Sequence, residues 1–406
     1  MIDHRFDLFA ACAPGFEAVT AQELFSLGIA NPQAVPGGVE FRGYLAHVYK
    51  ANLWSRTAER ILMRLDSFHA LTFKELRDNA KQIEWEKYLR PGDPLSIRAT
   101  CKKSRLIHSD AVAERVQLAI ADRLSAAQKV LEEQASARFA RSPRPRSKLK
   151  TDNNPPLTTA GLVSSGSNHV TQTIIVRLID DECTISLDTS GELLHFRGYR
   201  QAIAKAPLRE TLAASMILAS NWKTDQPLID PFCGSGTIPI EAALIARHIA
   251  PGLHRSFGFM TWPRFDQAAW NKLIAEANES ILPQAPSIIR GSDRDAGAIE
   301  ASRSNAERAG VLEQIEFKPQ AVSAIEPIDH AYIISNLPYG ERVSANKDLR
   351  NLYAQFGKVL RQKFAGDHVA ILAGDEQLEK NIGVKFGEAI RINNGGINVR
   401  FVQAEI

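Results

Sequence analysis

Through residues 1–190 the spacing of apolar positions changes repeatedly, and each change predicts an element. Phe6 to Ala11 is an apolar run that predicts a strand. Glu17 to Leu27 carries apolar residues at helical spacing until Gly28 stops it. Val35 to Phe41 sets the Gly37-Gly38 pair before a β-rich stretch, which suggests a hairpin-like turn. Leu45 to Leu53 and Thr72 to Ile83 predict helices. Leu95 to Ala99 predicts a strand after the turn Pro91-Gly92-Asp93-Pro94. Ser109 to Leu131 predicts a long helix with Val112, Val116, Ala119 and Leu131 on or near one face. Thr173 to Leu178 and Cys183 to Leu187 flank Asp180-Asp181 as a second hairpin. The set fits a small sheet with helices packed on one side.

From Leu208 onward the pattern becomes a regular helix–strand alternation. Helices are expected over 209–221, 237–249, 296–309 and 348–364, and strands over 227–230, 287–292, 314–317, 331–335 and 367–373. This is the sequence form of an α/β, Rossmann-like, doubly wound parallel sheet, with a domain boundary near residue 190.

Composition refines the picture in one place. Apolar residues make up 44% and charged residues 23% of 406 residues, enough for two or three globular domains. No stretch approaches the ~18 uninterrupted apolar residues of a membrane span. The start shows no basic leader, and Cys12, Cys101, Cys183 and Cys233 form no CxxC pair, so no metal site is expected and a cytoplasmic location is. Net charge is +3, from 49 basic and 46 acidic residues. That total is uninformative, but Arg138, Arg141, Arg144, Arg146, Lys148 and Lys150 concentrate positive charge within a Pro- and Ser-rich stretch. Residues 138–169 therefore predict a mobile insertion, either a nucleic-acid-contacting arm or a solvated loop.

The candidate chemistry lies at strand tips. Asp230-Pro231-Phe232-Cys233-Gly234-Ser235-Gly236-Thr237 is a tight strand-to-helix turn whose glycines let the backbone approach a ligand. It lacks the Gly-Lys-Ser/Thr ending of a P-loop, and Pro239 replaces the third small residue of the dinucleotide fingerprint. Asp293 ends the next strand, where a carboxylate can accept ribose hydroxyls, while Asp295 suits helix capping. Cys233 reads as a packed thiol rather than a nucleophile. Asn336-Leu337-Pro338-Tyr339 follows a third strand. Accepting both hydrogens of an exocyclic amine, by the Asn carbonyl and a main-chain carbonyl near Pro338, frees the nitrogen lone pair. Tyr339 can stack on a base swung out of its helix.

DPFCGSGT, the GSD strand tip and NLPYGER, in this order, resemble class I S-adenosylmethionine-dependent methyltransferases acting on exocyclic amines of bases. HFRGYR, APLRETLAASMI, NAERAGV and FAACAPGFEAVTAQEL are similar to THUMP-domain RNA methyltransferases of the 23S ribosomal RNA guanine-N2 type. The resemblance covers nearly the whole chain outside 138–169. It implies a ferredoxin-like part over 1–44, a THUMP RNA-binding domain over 45–190 and a methyltransferase domain over 191–406. It implies S-adenosylmethionine as cofactor and RNA as partner, with no metal and no membrane, and leaves the oligomeric state open.

Carried over by position, the resemblance places Asp230, Gly234 and Gly236 beside the methionine part of the cofactor and Asp293 on its ribose. The stem of Arg294 would lie on the adenine, and Pro207 and Leu208 would close the pocket. Asn336, Pro338 and Tyr339 would take the amine and the base, and Gly340, Glu341 and Arg342 would extend the substrate loop. Ala321 departs from the family, standing where an aspartate usually meets the adenine amine. Leu337 replaces a commoner proline between the working groups. Relatives can carry a second methyltransferase domain; with the chain ending at Ile406, a second activity is not expected. The alternatives are an N6-adenine methyltransferase acting on DNA or RNA, and a non-catalytic RNA-binding assembly factor.

Overall fold

A computed structural model describes residues 5–141, 171–201, 208–339, 349–394 and 396–406, with side chains of the helix ending at Arg141 described through residue 129. The chain forms two compact units, one of Met1–Arg64, Asp188–Phe257 and Asp266–Ile406, the other of Leu65–Leu187 and Gly258–Phe265.

The first unit opens with β1 (Phe6–Cys12), α1 (Glu17–Ser26), β2 (Gln33–Val35), β3 (Gly38–Gly43), α2 (Leu45–Trp54) and the first half of β4 (Ala58–His69). β2, β3, β1 and β4 pair antiparallel in that order. The expected Gly37 turn joins β2 to β3. The apolar pattern did not disclose β4. Ala58-Glu59-Arg60-Ile61-Leu62-Met63-Arg64 is rich in helix formers and does not alternate, and pairing with β1 from Asp7↔Arg64 to Ala11↔Arg60 decides its conformation.

The second unit holds α3 (Phe73–Gln82), β5 (Leu95–Lys102), α4 (Ser109–Arg141), β6 (Gln172–Ile179) and β7 (Glu182–Asp188, its last residue in the first unit). Thr72 and Glu75 form a reciprocal capping box at the start of α3. β5 and β6 run parallel, and β6 and β7 form the expected hairpin, with Asp180 and Asp181 at φ of 51° and 65° as a two-residue turn demands. The helix α4 continues to Arg141, past the expected end and into the basic stretch; residues 142–170 lie outside the described residues.

The rest of the first unit contains α5 (Glu210–Ala219), β8 (Leu228–Asp230), α6 (Thr237–Ala246), α7 (Gln267–Glu279), β9 (Ile289–Asp293), α8 (Ala296–Arg308), β10 (Ile315–Pro319), β11 (Tyr332–Asn336), α9 (Leu349–Lys363), β12 (His368–Ala373), α10 (Glu376–Ile382), β13 (Ile390–Asn394) and β14 (Ile397–Glu405). Its sheet runs β10-β9-β8-β11-β12-β14-β13, parallel through β12, with β14 antiparallel to both neighbours. Successive residues point into opposite layers, as period-2 strands must. Leu228, Ile334 and Leu372 pack with Met216, Ile240 and Phe317, while Ile229, Ile333 and Ile371 pack with Tyr353, Phe356 and Leu360. Strand order reverses between β8 and β11, so a crevice opens at their carboxyl ends, the position where doubly wound sheets bind ligands.

Candidate active site

The turn after β8 is held by its neighbours. Gly236 caps α6 at φ 83°, and a Cβ there would lie 3.0 Å from the Ser302 Cβ, so both backbone conformation and space demand glycine. Open space lies above Gly234, where a side chain would otherwise stand. Ser302 Oγ is 2.7 Å from the Gly234 carbonyl, and Asn305 Nδ2 donates to the Ser235 carbonyl at 3.0 Å. From the other side, Arg200 donates to Thr237 Oγ1 at 2.9 Å and to the Leu208 carbonyl at 2.6 Å, joining Leu208 to the start of α6. Pro239 fits because Gly291 of β9 supplies the small residue: a Cβ on Gly291 would come within 3.1 Å of the Pro239 ring.

Two carboxylates flank the turn. Asp230 is buried, and its Oδ1 accepts from Ser335 Oγ at 2.6 Å and from the Phe232 amide at 3.1 Å. Burial pushes its pKa up to about 7 against the lowering effect of those bonds. Asp230 thus ties the β8 tip to β11. Asp293 accepts from the Gly234 amide at 3.1 Å through one oxygen and from the Asp295 amide at 3.0 Å through the other. A carboxylate has about four acceptor positions, so Asp293 keeps capacity for hydroxyl donors. Asp295 caps α8, as its position suggests. Arg294 is exposed, and so is Ala321, which brings no side-chain acceptor to the end of β10. Cys233 is buried and its thiol is raised well above the usual range, a packed group rather than a thiolate.

Asn336 ends β11 next to this turn. Its Oδ1 is buried and accepts no hydrogen bond from the described residues. A buried amide oxygen without a donor forfeits ~1–3 kcal/mol, which a ligand N–H would restore. Two residues on, the Pro338 carbonyl accepts from Tyr353 Oη at 3.1 Å, leaving one lone pair. The Tyr339 hydroxyl accepts from Asn394 Nδ2 at 2.7 Å, and burial raises that phenol's pKa.

Of the residues singled out by sequence, the structure brings Asp230, Gly234, Gly236, Asp293, Asn336, Pro338 and Tyr339 to the carboxyl ends of β8, β9 and β11; Leu208 joins them through Arg200. Arg294 lies at the β9 tip but points into solvent. Pro207, Gly340, Glu341 and Arg342 lie outside the described residues. Sequence reasoning missed Ser302, Asn305, Ser335, Tyr353 and Asn394. Ser302 and Asn305 had a signal: two polar residues three apart on the buried face of α8. Among the described residues no group of three His, Cys, Asp or Glu could hold a metal, and no helix is long and apolar enough to cross a membrane.

Sheet order, glycine turn and the Asn336 loop together define a class I methyltransferase fold. Residues 197–403 match the family of RMKL-like methyltransferase domains and residues 7–62 the RlmL ferredoxin-like domain, so the chain belongs to the RMKL-like methyltransferase family. The protein slr0064 of Synechocystis sp., assigned as an RNA methyltransferase, is 35% identical over 98% of this chain and 96% of its own. The ribosomal RNA large subunit methyltransferase K/L of Methylococcus capsulatus is 34% identical over 98% of this chain but 51% of its own. The chain spans about half the length of such K/L relatives. The crystal structure of SMU.472, assigned as a methyltransferase and complexed with SAH, superposes with a TM-score of 0.82 at 32% identity, covering 99% of this chain and 98% of that one.

Proposed function

We propose that this protein transfers a methyl group from S-adenosylmethionine to the exocyclic N2 of a guanosine in RNA, with large-subunit ribosomal RNA as the substrate. The buried, unpartnered Asn336 Oδ1 beside the glycine turn carries the reading. The residues fit the cofactor. Gly234 leaves open space over its backbone, Gly236 turns the chain into α6, and Asp293 retains acceptor positions for a ribose. Asp230 and the two glycines border the methionine part, the aliphatic stem of Arg294 and Leu208 flank the rest, and a backbone carbonyl or Gln320 takes the place of the acid missing at Ala321. When bound, S-adenosylmethionine supplies an electrophilic methyl on its sulfonium. Asn336 Oδ1 and the free lone pair of the Pro338 carbonyl accept the two amine hydrogens, and Tyr339 stacks on the base. Alignment and preset dipoles do the work, with no covalent enzyme intermediate.

The ribosomal RNA assignment is supported by the names of the K/L relatives, and the guanine assignment by the resemblance of the sequence motifs. We assign residues 45–190, most of which lie in the second compact unit, as a THUMP-type module that positions RNA, and with a ribosomal substrate the protein would act in the cytoplasm. The test is Asn336→Ala. Calorimetric titration should show S-adenosylmethionine affinity unchanged, while methyl transfer to RNA falls by at least ~100-fold. Undiminished transfer would remove the amine-reading role. No cofactor binding by the wild type would favour the RNA-binding assembly factor.

A further inference from the structure

The tetrapeptide loop is gripped by residues from three other elements, all within the first unit. Leu337 extends the β11 ladder by donating its amide to the Leu372 carbonyl at 3.1 Å, which brings Pro338 and Tyr339 alongside Gly374, just past the end of β12. Tyr353 of α9 is fully buried in an otherwise apolar layer, yet its hydroxyl reaches the loop. It donates to the Pro338 carbonyl at 3.1 Å. A hydroxyl has one hydrogen, and here it is committed to the Pro338 carbonyl, which holds that carbonyl in its direction. Asn394, at the end of β13, donates Nδ2 to the Tyr339 hydroxyl at 2.7 Å. Gly374 completes the grip, because a Cβ there would sit 2.6 Å from the Tyr339 Cβ.

We propose that Tyr353 and Asn394 are positioning residues that preset the two halves of the substrate receptor: Tyr353 aims the Pro338 carbonyl at the amine, and Asn394 holds the Tyr339 ring in place for the base. The inference rests on the amine-reading role of Asn336. It goes further by assigning the two grips to different kinetic steps. A misaimed carbonyl weakens an interaction that matters as charge develops on nitrogen, so it acts on kcat. A loosened ring weakens base stacking, which acts on KM for RNA.

The experiment is steady-state kinetics on the full chain with Tyr353→Phe, Asn394→Ala, Asn394→Asp and Asn336→Ala, alongside cofactor titration. Tyr353→Phe keeps the ring in its layer and should lower kcat about tenfold, the effect of one hydrogen bond, with KM for RNA and cofactor affinity unchanged. Asn394→Ala should raise KM for RNA about fivefold with kcat little altered. Asn394→Asp, which can accept from the tyrosine hydroxyl, should restore it. Gly374→Ala should reproduce the KM effect by displacing the ring. Wild-type kcat in Tyr353→Phe and wild-type KM in Asn394→Ala, with Asn336→Ala inactive, would overturn the positioning roles and leave the amine-reading role intact. An equal fall in kcat for both variants without a KM change would mean lost fold and would also overturn them. Full activity in Asn336→Ala would remove the reading underneath, and the proposal with it.

Discussion

At the residue scale the site is a set of polar atoms held for a ligand rather than for the fold. Asn336 Oδ1 has no partner among the described residues, whereas Asp230 Oδ1 nearby accepts from both Ser335 and the Phe232 amide. Asp230 keeps its proton more readily in the folded protein, with a pKa moved from 3.8 to about 7 by burial. The folded state therefore binds more protons than the unfolded state in that window, and Asp230 makes stability fall as pH rises from about 4 to about 7. Asp230→Asn keeps the acceptor for Ser335 and the Phe232 amide but cannot ionise. Its melting temperature should gain on the wild type as pH rises through that window; a constant difference would show that Asp230 is ionised throughout. Gly236→Ala combines positive φ with a 3.0 Å approach to Ser302. It should cost about 1–3 kcal/mol in urea unfolding and weaken cofactor binding. The positions of Asp230, Gly234, Gly236, Asp293 and Asn336 were legible in sequence because each sits at a strand tip or in the turn that follows one. Tyr353 and Asn394 were not, because their roles depend on elements 15 and 55 residues away from the atoms they hold.

At the element scale, α8 is the support of the glycine turn. Ser302 and Asn305 lie on its buried face and reach the Gly234 and Ser235 carbonyls, so the helix sets the turn's geometry from behind. Asn305→Leu keeps the side chain's branching and number of heavy atoms but loses the bond to Ser235. It should lower S-adenosylmethionine affinity about tenfold in calorimetry; unchanged affinity would mean that the turn holds its shape without α8. The parallel strands were legible because β8, β11 and β12 are buried on both faces and read as short apolar runs. The strands β13 and β14 were not. Ile390-Arg391-Ile392-Asn393-Asn394 is a weak alternation whose strand conformation comes from antiparallel pairing with β14, itself paired with β12. The helix α7 was missed because only Trp270 and Ala277 on it are buried.

At the scale of the whole molecule, buried charge joins the N-terminal segment to the end of α6 inside the first compact unit. Arg56 Nη2 donates to the Leu244 carbonyl at 3.3 Å and the Ile249 carbonyl at 2.8 Å, while Arg197 donates to the Arg56 carbonyl at 2.6 Å. Burial lowers the Arg56 pKa to about 10, with the Glu241 field opposing it. Glu210 lies 3.2 Å from Arg200, yet burial outweighs the pairing and raises its pKa to about 7. Such groups fix one arrangement because half-breaking the network leaves a charge stranded. Arg56→Ala should therefore cost about 3 kcal/mol in urea unfolding, far more than an exposed arginine; a loss near zero would show the network to be slack.

The central claim is the identity of the methylated atom. The most direct measurement incubates the protein with S-adenosylmethionine labelled in its methyl group and unmodified large-subunit ribosomal RNA, digests the RNA to nucleosides and separates them. The label should co-migrate with N2-methylguanosine and disappear with Asn336→Ala. Label in methyl-adenosine instead, or none in RNA despite cofactor binding, would contradict the account.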